Sequence, residues 1–119
     1  MKVKIGKYPN WHWWSTYLYK WFGYTRTQKI SVKIDKWDTW SMDNTLAHII
    51  LPMLKQLKAT NHGYPSGLSE QEWDEIQDNM IWSFEQKIED NDWDLSSEEH
   101  EKMAEGFKLF GLFYQNLWD

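Results

Sequence analysis

The sequence predicts an α+β protein: a small two-stranded β piece and an aromatic N-terminal segment packed on three helices, the last two an antiparallel acidic hairpin. Three observations predict it. Two short N-terminal stretches carry β-branched residues, one in strict polar–apolar alternation, the period of a half-buried strand. Later stretches repeat apolar residues at helical spacing. The pattern Ser-x-x-Glu, in which each side chain caps the other's backbone N–H, occurs at Ser69–Glu72 and Ser96–Glu99, just ahead of two of those stretches. At 119 residues a single domain, 1–119, is expected, with a basic, aromatic-rich part over 1–40 and a helical part over 41–119.

Val3-Lys4-Ile5 reads as the first strand. In residues 29–34 the second places Ile30, Val32 and Ile34 on one face and Lys29, Ser31 and Lys33 on the other. Between them, Trp14, Tyr17, Leu18 and Trp21 sit at helical spacing, with Asn10 as cap after Pro9 and Gly23 as the stop. Aromatic density of this kind also suits a strand; a helix is the favoured reading. The next helix opens at Ser41 or Asp43 and carries Leu46, Ile49, Ile50, Met53, Leu54 and Leu57. Pro52 falls inside it and strips the His48 carbonyl of its usual donor, so a kink or a two-piece helix is expected. Residues 60–67 are turn chemistry. The helix after Ser69 should turn Trp73, Ile76, Met80, Ile81, Phe84 and Ile88 inward. The last helix, after Ser96, should present Met103, Phe107, Phe110, Tyr114 and Leu117 as a packing seam.

Composition then narrows the function classes. Ten tryptophans, six of them within the first forty residues, exceed what so small a core needs, which is a binding signature. The net charge of −5 hides a division. Eight bases against Asp35 and Asp38 make residues 1–40 strongly positive, whereas 68–119 hold fifteen acids against Lys87, Lys102 and Lys108. Cysteine is absent, which excludes disulfides, thiolate nucleophiles and cysteine metal sites. The four histidines lack the spacing of a zinc protease or a di-metal bundle, so no metal and no cofactor is expected. Neither a glycine-rich phosphate loop nor a serine in a strand–turn–helix elbow occurs, and no catalytic residue is assigned. The chain has no signal-peptide-like opening and no run long enough to span a bilayer, so no membrane association is expected.

The candidate ligand site comprises Trp37, Trp40, His48, Lys55, Lys58 and His62. Two indoles three residues apart precede a helix start, whose free N–H groups suit an anion. Stacking falls to Trp37 and Trp40, phosphate pairing to Lys55 and Lys58, and hydrogen bonding to His48 and His62, a set suited to a small nucleotide-like ligand. Long nucleic acid is disfavoured, because arginine is represented by Arg26 alone and the acidic half repels a phosphate backbone. The apolar surplus equally predicts a homo-oligomer.

Several segments resemble an abundant, largely uncharacterised family of tailed-bacteriophage proteins. They are Lys2-Val3-Lys4-Ile5-Gly6, Tyr8-Pro9-Asn10-Trp11, residues 32–43 around Asp35-Lys36-Trp37-Asp38-Thr39-Trp40, residues 45–58 and His62-Gly63. Met80-Ile81-Trp82-Ser83-Phe84-Glu85-Gln86, Leu109-Phe110-Gly111, Tyr114 and Leu117-Trp118-Asp119 complete the set. About two thirds of the chain is covered, and residues 33–58 are the most specific part. Family members are longer, with extra sequence after the Asn-Trp segment and between the second and third helices, so this chain resembles a shortened member. The resemblance implies a viral protein working in the bacterial host cytoplasm and assigns no activity. The expected function is therefore non-enzymatic, counter-defence sequestration of a small nucleotide-type host signal by an oligomer. The alternatives are a protein-binding inhibitor of a host enzyme or defence complex, docking through the acidic hairpin, and a minor virion or assembly component.

Overall fold

The computed structural model describes residues 1–6, 13–23, 29–60, 63–89 and 93–118. The architecture is α+β, with a two-stranded sheet and four helices among the described residues. The chain divides into two compact units, Met1–Trp40 and Ser41–Asp119. The division falls where the sequence passes from basic and aromatic to helical and acidic.

In the first unit, β1 (Lys2–Ile5) pairs antiparallel with β2 (Ile30–Lys33). The register sets Lys2 opposite Lys33, Val3 opposite Val32, Lys4 opposite Ser31 and Ile5 opposite Ile30. Helix α1 (Trp13–Phe22) ends at Gly23, which adopts φ +66° and donates its N–H to the Tyr19 carbonyl at 3.0 Å. Glycine enters that left-handed conformation without a Cβ penalty, and the chain stops there. The expected cap at Asn10 lies outside the described residues. A short 3₁₀ turn, Lys36–Thr39, follows β2 and is held by a capping box between Asp35 and Asp38. No described residue of this unit is buried.

The second unit is a layer of three helices: α2 (Met42–Thr60), α3 (Glu70–Glu89) and α4 (Ser97–Leu112). Helix α3 is central and packs against both of the others. Phe84 of α3 meets Phe107 and Phe110 of α4, while Trp73, three turns earlier, meets Phe113 beyond the end of α4. That crossing order makes α3 and α4 antiparallel. Asp43 near the start of α2 pairs with Lys87 near the end of α3, and Lys58 near the end of α2 pairs with Asp78, so α2 and α3 are antiparallel too. The core is Ala47, Leu51, Leu54, Trp73, Met80 and Phe84, ringed by half-buried residues that include Ile50, Ile76, Ile81, Ile88 and Phe107. The capping box at Ser96 forms in full, the Glu99 N–H donating to Ser96 Oγ at 3.2 Å and the Ser96 N–H to Glu99 Oε1 at 3.5 Å, and at Ser69 the hydroxyl accepts from the Glu72 N–H at 3.1 Å.

Two expectations are corrected. Of the kink and the two-piece helix expected at Pro52, the two-piece form is not seen, because α2 is one helix through Pro52. Pro52 and His48 both lie on the exposed side, so bulk water takes the carbonyl that the proline leaves without a donor. The final helix stops at Leu112, and Tyr114, expected to continue the packing seam, sits in a 3₁₀ turn, Tyr114–Asn116, largely exposed. No helix among the described residues is long and apolar enough to cross a membrane.

Candidate functional site

An indole left in water forgoes the burial that usually explains its presence, so the location of each tryptophan matters. Among those described, only Trp73 is buried, at 2% exposure, and Trp82 is half-buried beneath the Lys102 ammonium at 4.3 Å. Trp13, Trp14, Trp21, Trp37, Trp40, Trp93 and Trp118 are exposed. Trp37 is 74% and Trp40 90% exposed; Trp37 lies within the 3₁₀ turn and Trp40 caps its end. Lys36 Nζ lies 5.3 Å from the Trp37 ring centroid, a cation–π contact on one face of that ring.

The remaining predicted site residues belong to the second unit. His48 lies on the exposed side of α2. Lys55 and Lys58 are each engaged by a carboxylate of α3, Lys55 with Glu85 at 3.2 Å and Lys58 with Asp78. Their ammonium groups are thus partly neutralised, and a phosphate at either position has to compete with a resident carboxylate. His62 lies outside the described residues. Trp37 and Trp40 are therefore neighbours in one unit, and His48, Lys55 and Lys58 share one helix in the other.

Local electrostatics are strongest at the start of each unit. The Met1 ammonium pairs with Asp38 at 3.1 Å and Asp35 at 3.4 Å, and the Asp38 hydrogen bond above all raises its pKa. The Asp38 carboxyl is held below its usual range, first by the Asp35 N–H that donates to it at 2.8 Å and then by the Met1 ammonium. Asp43 is likewise lowered, chiefly by Lys87 at 2.7 Å and then by the backbone N–H of Asn44. Among the described residues no three His, Asp or Glu side chains gather as a metal site would require.

Gly106 and Ser83, given no role in the sequence reading, shape the α3–α4 contact, and Gln77 is buried on α3. Gly106 is the buried residue of α4, and a Cβ built there would fall 1.8 Å from Ser83 Oγ and 2.7 Å from the Asn79 carbonyl. Ser83, fully buried, donates its hydroxyl to that carbonyl at 3.0 Å. Gln77 is 2% exposed, and neither its Nε2 nor its Oε1 has a partner. The Ser83–Gly106 match of small residues was legible as a close-approach signal. Nothing in the sequence marks Gln77 as buried rather than solvent-facing. Comparison with protein-family models, curated proteins and solved structures finds no match to this chain.

Proposed function

We propose that this chain is a non-enzymatic phage binding protein that sequesters a small nucleotide-type host signalling molecule, as a counter-defence oligomer in the bacterial cytoplasm. The observation that carries the reading is the exposure of the Trp37 and Trp40 indoles. Covering one such ring removes about 150–250 Å² from water, worth up to roughly 4–6 kcal/mol, so the rings are sinks for a planar partner. Stacking a base on an aromatic face contributes about 1–3 kcal/mol, and it tolerates any base because each has a π-face. The bacteriophage resemblance supplies the biological setting, and Trp37 and Trp40 both lie in its most specific stretch, residues 33–58. Oligomerisation is supported by the apolar residues exposed on both strands and on α1.

Calorimetry against a panel of cyclic dinucleotides and ADP-ribose derivatives tests the reading. A stoichiometric binder that quenches indole fluorescence is expected, and Trp40→Ala should weaken it by roughly tenfold to a hundredfold. A panel that yields neither heat nor quenching removes the nucleotide reading. A protein partner is favoured by a separate observation: Asp74, Glu98, Glu101 and Glu105 are exposed and form no ion pair among the described residues. A stoichiometric host protein, retained by the wild type and lost on charge reversal at Glu98, Glu101 and Glu105, identifies that alternative.

A further inference from the structure

The β1–β2 ribbon has two chemically opposite sides. Directly opposed residues of an antiparallel pair project to the same side, and alternation along each strand separates the sides. One side holds Val3, Ile5, Ile30 and Val32. The other holds Lys2 against Lys33 and Lys4 against Ser31. Gly6 N–H donates to the Lys29 carbonyl at 2.8 Å and extends the ladder by one row, which brings Lys29 to the same side as Lys33.

Like charges directly opposed across a ribbon repel, and a carboxylate placed between them is the ordinary remedy. None is present. Among the described residues no acid pairs with Lys2, Lys4, Lys29 or Lys33, and the two acids of residues 1–40, Asp35 and Asp38, are both engaged by the Met1 ammonium. Opposed lysines start about 5 Å apart at Cβ, and rows of equal facing repeat about every 7 Å along a strand. That spacing suits a multiply charged phosphoryl group held from both strands, and Ser31 contributes a hydroxyl donor amid the ammonium groups.

We propose that the lysine side of this ribbon is a binding site for a phosphoryl anion, with Lys2 and Lys33 clamping it from opposite strands and Lys4 and Ser31 completing its contacts. The site stands independently of base stacking, and it supplies cationic contacts for the anionic half of the ligand that the nucleotide reading requires. It uses ammonium groups that hold no carboxylate among the described residues, unlike Lys55 and Lys58.

Amide chemical-shift mapping of the full chain with inorganic pyrophosphate tests it. Saturable shifts centred on Lys2, Lys4, Ser31 and Lys33 are expected, fading with added salt as exposed charges are screened. Lys2→Gln and Lys33→Gln should each weaken binding about tenfold, and Lys108→Gln, on the exposed side of α4, should leave it unchanged. Cross-strand contacts observed by NMR in each variant confirm that the ribbon persists, and the wild-type map stands alone if a variant loses it. Unsaturable shifts, or shifts centred on residues 55–58, overturn the proposal. Pyrophosphate binding at the ribbon with a silent nucleotide panel keeps this site and removes the stacking reading. Nucleotide binding that ignores both lysine substitutions does the reverse.

Discussion

Gly106 sets how closely α4 approaches α3. Alanine is the better helix former there by about 1 kcal/mol. Its Cβ, however, would collide with the Ser83 side chain and the Asn79 carbonyl, of which the carbonyl is backbone. Overpacking of this kind costs about 1–3 kcal/mol and forces the helices apart, so the steric term wins. Gly106→Ala should lower the urea midpoint without abolishing helicity, with a net loss of up to about 2 kcal/mol measured by equilibrium unfolding. Gln77 argues in the opposite direction. Both of its amide atoms are buried without partners, a burden of about 1–3 kcal/mol. Gln77→Leu keeps the volume and removes the burden, and a rise in unfolding free energy of about 1 kcal/mol is expected by the same measurement. If the variant is less stable than the wild type, the amide has a partner that this arrangement lacks.

At the scale of elements, the start of α2 is fastened to the end of α3. Asp43 pairs with Lys87, and Asn44 Nδ2 donates to the Lys87 carbonyl at 3.1 Å, which satisfies one of the acceptors left open at a helix C-terminus. The folded-state pKa of Asp43 lies below its unfolded value of about 3.9, so its contribution to stability is present above that value and lost as pH falls through the folded one. Urea midpoints should therefore drop on acidification below about pH 4, and Asp43→Asn should flatten part of that slope while lowering the plateau slightly. An identical acid limb in both proteins would assign the sensitivity elsewhere. Elements of this kind were legible wherever a local rule acts alone: Ser69 with Glu72, Ser96 with Glu99 and Gly23 each fixed a helix end. Pro52 does not split the helix because the cost of one missing donor depends on which side of the helix it faces, and burial of Ala47, Leu51 and Leu54 on the other side outweighs it. Tyr114 misled because the four–three spacing of apolar residues persists in sequence after the α-helix has tightened into a 3₁₀ turn.

For the whole molecule, every fully buried side chain among the described residues belongs to the second unit. Hydrogen exchange should follow that division. The slowest amides are expected over 47–54 and 73–84, and the amides of β1, β2 and α1 should exchange near the rate of local opening. Equal protection in both units would mean that the first unit gains its cover from another molecule in solution. The candidate site was legible only in its chemistry. Indoles at Trp37 and Trp40 announced themselves by type and spacing, and their exposure accords with that. Whether a lysine is free is a three-dimensional property: Lys55 and Lys58 lost their carboxylate-free state to α3, whereas the pairing register assembled Lys2, Lys4 and Lys33 from segments about thirty residues apart.

That register also governs how the chain tolerates change in length. Because facing alternates at every residue, a single added amino acid inside Ile30–Lys33 would exchange the wet and greasy surfaces of that strand, stranding ammonium groups opposite valine. The same addition between Gly6 and Lys29 leaves the pairing intact, since the connection merely lengthens. Single-residue insertions engineered into this chain should accordingly be tolerated in the connector and not within either strand.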